Sequence, residues 1–293
     1  MLRIAILSTV GTSLLGNIER NINRLGLSQV SREVFGRQPS RLSINDELQG
    51  QFERWAEEGG DVLEDAVKAL STDPAGFSAE LNSIIAFLRS LPARHVINEL
   101  RLQFYPTDTG TSRFCARAIT EYLRRYGNEF RGLTGIPTSA ALVVDDSVTL
   151  KGFGRDVDWF REGLVDLMDK FVGRVIELRR GGYRVVVNPT GGFKPESAYL
   201  TLMAMLAGAW RVIYIHETFR EIVELPMLPI TIDPRYVDAL TQIMKGKGTS
   251  KGILQQLGID VEDLADKELV GITDSEVHVK EWVKKLLEIL TNK

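Results

Sequence analysis

Residues 2–25 read LRIAILSTVGTSLLGNIERNINRL. From Leu2 to Ser8 the run is apolar and branched, and it closes on Thr9-Val10-Gly11. From Ser13 to Leu25 the apolar residues Leu14, Leu15, Ile18, Ile22 and Leu25 recur at the spacing of one helix face. Strand, glycine turn and helix in that order open a parallel α/β unit, and the unit repeats down the chain. Leu100 to Tyr105 is strand-like, and Pro106-Thr-Asp-Thr-Gly-Thr leads into a helix through Phe114, Ala118, Ile119, Tyr122 and Leu123. Ala140 to Val144 reads as a third strand running into a hairpin near Asp145-Asp146, and Trp159 to Leu178 as a helix. Tyr183 to Val187 is a fourth strand, Glu196 to Ala209 an apolar and therefore buried helix, and Arg211 to Ile215 a fifth strand. Val- and Ile-rich strands alternating with helices predict an α/β fold with a mainly parallel, doubly wound sheet covered on both faces.

Two segments depart from this alternation. Residues 43–91 carry two or three amphipathic helices, among them Leu48, Phe52, Trp55 and then Val62, Leu63, Ala66, Val67, Leu70, with a break at Asp73-Pro74. They read as a helical insertion. Past Ile222 come short β runs punctuated by Pro226, Pro229 and Pro234, and then a tail of helix, turn, helix, β-like Leu269 to Val279 and closing helix. The predicted division is a main domain over 1–235 and a small α+β, winged-helix-like domain over 236–293.

Composition narrows the function. A formal charge of −3 supplies no overall field for gripping duplex nucleic acid or an anionic membrane, so any phosphate binding is local. Cys115, the single cysteine, cannot form an internal disulfide, and three histidines give no cluster at zinc spacing; no metal or cofactor is expected. The first residues are too short and too β-branched for a signal peptide, and the longest apolar stretch, Ala198 to Trp210, is broken by Arg211 well short of a membrane span. These features predict a soluble, cytoplasmic protein without a membrane partner.

Three strand ends carry loops of one kind: Val10-Gly-Thr-Ser13, Thr107-Asp-Thr-Gly-Thr-Ser112 and Asn188-Pro-Thr-Gly-Gly-Phe-Lys194. Each feeds a helix. At the carboxyl edge of a parallel sheet, helix amino ends offer unpaired N–H groups to anions, glycine lets the backbone approach a phosphate, and Ser or Thr hydroxyls can bond it or a ribose. Any one such loop is an ordinary turn with an N-cap; three on one edge, one with a lysine at a helix start, predict a phosphate or nucleotide crevice. The loops lack both the Walker A pattern and Gly-x-Gly-x-x-Gly, which disfavours nucleoside triphosphate hydrolysis and dinucleotide redox chemistry.

Gly11-Thr-Ser13-Leu-Leu, Thr107-Asp108-Thr109-Gly110 and Asn188-Pro-Thr-Gly-Gly-Phe-Lys194-Pro-Glu together resemble the CRISPR-associated Rossmann-fold (CARF) proteins of archaea, specifically the stand-alone ring nucleases. The resemblance covers roughly residues 1–232, the third loop being its most specific part. It implies a homodimer that binds cyclic tetra-adenylate, the messenger of type III CRISPR complexes. It also implies cleavage of that ring, without metal, to linear di-adenylate ending in a 2′,3′-cyclic phosphate, with Ser13 and Lys194 as the catalytic residues. The expected ligand contacts are Gly11, Thr12 and Asn17 around the first loop, and Thr107, Asp108, Thr109 and Arg113 around the second. The third loop adds Asn188, Thr190, Gly191, Gly192 and Phe193.

Three rival readings remain. A messenger-activated ribonuclease of the same resemblance carries Arg followed by His four to six residues on; Arg89 to His95 contains Pro92, and Arg211 to His216 lies on a predicted core strand, so neither serves. A non-catalytic sensor of the ring would use the same crevice. A transcription regulator would use the winged-helix-like tail, but residues 236–293 hold eight lysines and no arginine against ten acidic residues, which argues against reading duplex DNA. Cys115, a candidate nucleophile near a helix amino end, reads better as a small buried helix residue.

Overall fold

The computed structural model describes residues 2–92, 95–152, 157–192, 194–215, 221–246, 249–274 and 276–291, without the side chains of 157–161, 194, 249 and 291. Six strands form the main sheet: β1 (Leu2–Val10), β2 (Ile97–Pro106), β3 (Ala141–Val144), β4 (Arg184–Asn188), β5 (Arg211–Ile215) and β6 (Ile222–Leu225), in the spatial order β3-β2-β1-β4-β5-β6. The first five are mutually parallel, and β6 closes the edge antiparallel to β5. This is the Rossmann-like doubly wound order. The chain winds outward from β1 in one direction and from β4 in the other, so a crevice opens between their carboxyl ends.

Both faces are covered because both are apolar. On one, Ile4, Ile6, Leu100, Leu102, Phe104 and Val186 pack beneath α1 (Ser13–Arg20), α2 (Gln29–Gly36), α3 (Leu48–Glu58), α4 (Asp61–Thr72), α5 (Pro74–Phe77), α6 (Ala79–Ser90), α7 (Gly110–Arg125) and α8 (Gly127–Thr134). On the other, Ala5, Leu7, Tyr105, Val185, Val187 and Val212 meet α9 (Val157–Leu167), α10 (Gly173–Arg180) and α11 (Lys194–Leu206). Successive strand residues face opposite sides, so a strand buried on both reads as one unbroken apolar run, as Ile4 to Leu7 does. Each such Val, Leu or Ile contributes about 1.5–3 kcal/mol through burial.

The helical segment 43–91 contains four helices rather than two or three, with Asp73 capping α5 through the Gly76 N–H. No hairpin forms at Asp145-Asp146. The chain runs on beside β2 instead, the Asp145, Val148 and Leu150 N–H groups donating to the Leu102, Phe104 and Pro106 carbonyls. Asp145 is held there by Arg101 and Arg174, a long-range charge pairing that outweighs the local turn propensity of Asp-Asp. The helix expected over Trp159 to Leu178 is interrupted by one π-helical turn, Met168–Val172, between α9 and α10.

The tail builds α12 (Pro234–Lys245), β7 (Thr249–Ser250), α13 (Lys251–Gln256), α14 (Val261–Asp266), β8 (Val270–Thr273), β9 (Glu276–Val279) and α15 (Glu281–Thr291), with a three-stranded sheet in the order β7-β9-β8. Its apolar residues, Leu240, Ile243, Leu254, Val261, Leu264 and Val277 among them, form their own cluster. α15 joins it to the sheet: Leu287 packs into the tail, and Leu286 into the cluster under α9–α11.

Candidate functional site

Apolar strands deliver their polar residues at the carboxyl edge, and there β1 and β4 end in glycine loops that touch. A Cβ on Gly191 would strike the Gly11 amide nitrogen and Glu80 Oε1 and come within 2.9 Å of the Val10 carbonyl carbon, so the approach requires glycine. The Thr9 hydroxyl fastens the pair by donating to the Gly191 carbonyl. Below them Asn188 donates to Ser8 Oγ at 3.0 Å and accepts from the Thr190 hydroxyl, while Thr190 Oγ1 accepts from the Ile215 N–H of β5 at 3.4 Å.

A cavity of about 480 Å³ opens between these loops. Gly11, Thr12 and Ser13 line one side, Thr190, Gly191 and Gly192 a second, and Tyr214 and Ile215 the end of β5. Asn17 and Arg20 continue the wall down α1, because positions 13, 17 and 20 fall on one face of a helix. The remaining wall comes from the helical insertion: Ala75, Gly76, Ala79, Glu80 and Asn82. α1 has no side-chain cap, whereas Ser28, Ser78 and Thr109 cap α2, α6 and α7. The Thr12 side chain therefore does not compete for its first-turn N–H groups, of which the Leu15 N–H is directed at the Cys115 sulfur.

Glu80 is the residue that sequence reasoning missed. It is 1% exposed, and its carboxylate accepts from the Gly11 N–H at 2.9 Å through Oε1. Through Oε2 it accepts from the hydroxyls of Ser13 at 3.1 Å and Ser78 at 2.7 Å. Ser13 Oγ in turn accepts from the Ala79 N–H at the amino end of α6, at 3.1 Å. Four neutral groups thus hold a buried carboxylate and its serine at the start of a helix, where the dipole favours negative charge. Among the described residues no Lys or Arg lies within ion-pair distance of Glu80. Arg20, exposed and bonded to Asn17 Oδ1, is the cationic residue of the described lining.

The second loop sits on the same sheet edge but outside the cavity lining. Thr109 caps α7, the Thr107 N–H donates to Ser112 Oγ at 3.0 Å, and Asp108 accepts from the Gly152 N–H at 3.3 Å. α3 covers the loop. A Cβ on Gly110 would collide with the Gln49 carbonyl, and the Thr111 N–H donates to Gln49 Oε1 at 3.0 Å. Arg113 pairs with Glu53 of α3, so its charge is already engaged. Lys194 opens α11 two residues after Gly192; its side chain and Phe193 lie outside the described residues, as does His216. Burial pushes the Cys115 thiol well above its ordinary pKa, which leaves it unsuited to nucleophilic work.

Among the described residues no group of three or more His, Cys, Asp or Glu side chains is arranged to hold a metal ion, and no helix is long and apolar enough to cross a membrane. A family model for a CRISPR-associated protein, Cas_APE2256, matches residues 75–228, from the wall that carries Glu80 through the second and third loops to just past β6. With more than half of its 293 residues inside that match, the chain belongs to the Cas_APE2256 family of CRISPR-associated proteins.

Proposed function

We propose that the protein is a CARF ring nuclease that binds cyclic tetra-adenylate and cleaves it to linear di-adenylate with 2′,3′-cyclic phosphate ends, switching off type III CRISPR signalling. One observation carries the reading: at the switch point of the sheet, the abutting Gly11 and Gly191-Gly192 backbones, the uncapped start of α1 and the Ser13 hydroxyl line one polar cavity. The amides of the third loop and of the helix start suit a phosphodiester, and the Ser13 hydroxyl suits its ribose.

The chemistry asks little more of a protein. A 2′-hydroxyl attacking its own 3′-phosphate needs in-line geometry and stabilisation of the charge that develops on the phosphoryl oxygens. Lys194, at the start of α11, supplies that positive charge, Ser13 orients the attacking group, and the Gly191 and Gly192 amides hold neighbouring phosphates. A cavity of about 480 Å³ is of the size that takes one small ligand, less than four nucleotides occupy. A two-fold homodimer that presents two such cavities to opposite phosphodiesters accounts for the remainder, and two symmetric cuts give equal halves.

A regulator that reads duplex DNA through its tail is less well supported. α14, which stands where a winged helix carries its reading helix, has the sequence Val261-Glu-Asp-Leu-Ala-Asp266 and lacks basic residues. The test is incubation of the purified protein with cyclic tetra- and hexa-adenylate in chelator, with the products resolved by chromatography. Di-adenylate cyclic phosphate from the tetramer is the expected product. An intact ring that remains tightly bound would instead mark a sensor.

A further inference from the structure

Ser13 has every hydrogen-bonding direction but one assigned. A serine hydroxyl offers one donor and two acceptor lone pairs. The proton is directed at Glu80 Oε2, 3.1 Å away, and one lone pair accepts from the Ala79 N–H, also at 3.1 Å. What remains for the cavity is a single acceptor. A phosphoryl oxygen, itself an acceptor, finds no partner there, whereas a ribose hydroxyl does. Glu80 is anchored against swinging away: Oε1 holds the Gly11 N–H, Ser78 adds a second hydroxyl to Oε2, and the Glu80 backbone carbonyl accepts from Ser83 Oγ at 2.9 Å.

Resting on the ring-cleavage reading, we infer that Ser13 and Glu80 form a proton relay that takes the 2′-proton, Ser13 touching the ribose and Glu80 acting through it as a positioning residue and final acceptor. The O2′–H bond breaks as its proton passes to Ser13 Oγ and the serine's own proton passes to Glu80 Oε2. The O2′ electron pair forms the new bond to phosphorus, and the P–O5′ bond breaks with its pair on O5′, which takes a proton from water. Glu80 then returns its proton to solvent, and the site is restored. Ser13 forms no covalent intermediate.

Two arms test the relay in the full-length protein. In the first, Glu80→Gln lowers single-turnover cleavage of cyclic tetra-adenylate about a hundredfold, the lower end of a general base's worth, with ring affinity near that of the wild type. The double variant Ser13→Ala/Glu80→Gln is no slower than the slower single variant, because the two residues act as one unit. In the second, the all-2′-deoxy ring binds the wild type about a hundredfold more weakly, the value of two hydrogen bonds, one to the Ser13 of each protomer, and that penalty vanishes in Ser13→Ala. The second arm leaves Glu80 untouched and decides alone if Glu80→Gln does not fold. A folded Glu80→Gln variant that cleaves at the wild-type rate, single-variant losses that multiply, or a deoxy penalty that persists in Ser13→Ala overturns the relay while ring cleavage stands. A wild-type protein that neither binds nor cleaves the ring overturns the functional reading and the relay together.

Discussion

Gly191 lies against Gly11 so closely that a single methyl group on Gly191 has no room between the backbones of the first and third loops. This contact sets the floor of the cavity, so Gly191→Ala has to separate the loops. The expected outcome is a loss of about 1–3 kcal/mol in stability, the range for overpacking, together with loss of ring binding. Gly132→Ala is the matched control, since nothing lies within 4 Å of the added methyl in the middle of α8. It is expected to leave the melting temperature unchanged or raise it slightly. Thermal unfolding and ligand titration of both variants check the contrast, and a Gly191→Ala protein that melts and binds like wild type contradicts it.

Far from the cavity, at the amino end of the sheet, Glu99 accepts from the Tyr183 hydroxyl and pairs with Arg3 at 2.8 Å and Arg101 at 3.7 Å. The Tyr183 bond, followed by the two arginines and opposed by burial, holds the Glu99 carboxyl below its usual pKa. A depressed carboxylate contributes stability that is fully present above its unfolded pKa, about 4.3, and is lost as pH falls through the lower folded value. Glu99→Gln is therefore expected to cost on the order of 1 kcal/mol at neutral pH, discounted for the half-exposed Arg3. That difference should shrink below about pH 4. Melting curves across the acid range check this, and a pH-independent difference contradicts it.

The tail invites comparison with DNA-binding modules, yet several of its lysines are already paired within it: Lys251 with Glu262, Lys267 with Asp263 and Lys280 with Glu268. Duplex DNA is expected to bind weakly, without sequence preference, in a mobility-shift assay at low salt. Tight binding with a steep salt dependence would promote the regulator reading. Removing the tail is expected to lower the melting temperature of the remainder, because Leu286 of α15 completes the apolar cluster beneath the sheet.

What could be read from the chain alone was whatever local spacing encodes. The apolar runs marked β1 to β5, and Gly11, Gly191 and Gly192 marked the loops that meet at the cavity. Positions 13, 17 and 20 share a helix face, so spacing alone would have set Arg20 beside Ser13 and Asn17. Glu80 was not legible. Ser78-Ala-Glu80 announces only a helix start, and what gives it meaning is a contact spanning 67 positions to Ser13 that no local pattern encodes. The same limit applies to the second loop, whose glycine signature is indistinguishable from a ligand loop until α3 and Gln49 are seen covering it. At Asp145-Asp146 the turn propensity is real, but Arg101 and Arg174 draw the chain along β2.

The measurement that bears most directly on the central claim is single-turnover cleavage of cyclic tetra-adenylate by wild type and Lys194→Ala, with and without chelator, alongside ring affinity. The charge at the start of α11 should matter most as negative charge develops on the phosphoryl oxygens, whereas many contacts share the binding of four phosphates. Lys194→Ala is expected to cleave roughly a hundred- to a thousandfold more slowly, with a smaller loss of affinity, and chelator is expected to leave the wild-type rate unchanged. A lysine variant that cleaves at the wild-type rate, or a wild type that stops cleaving when divalent ions are removed, contradicts the account.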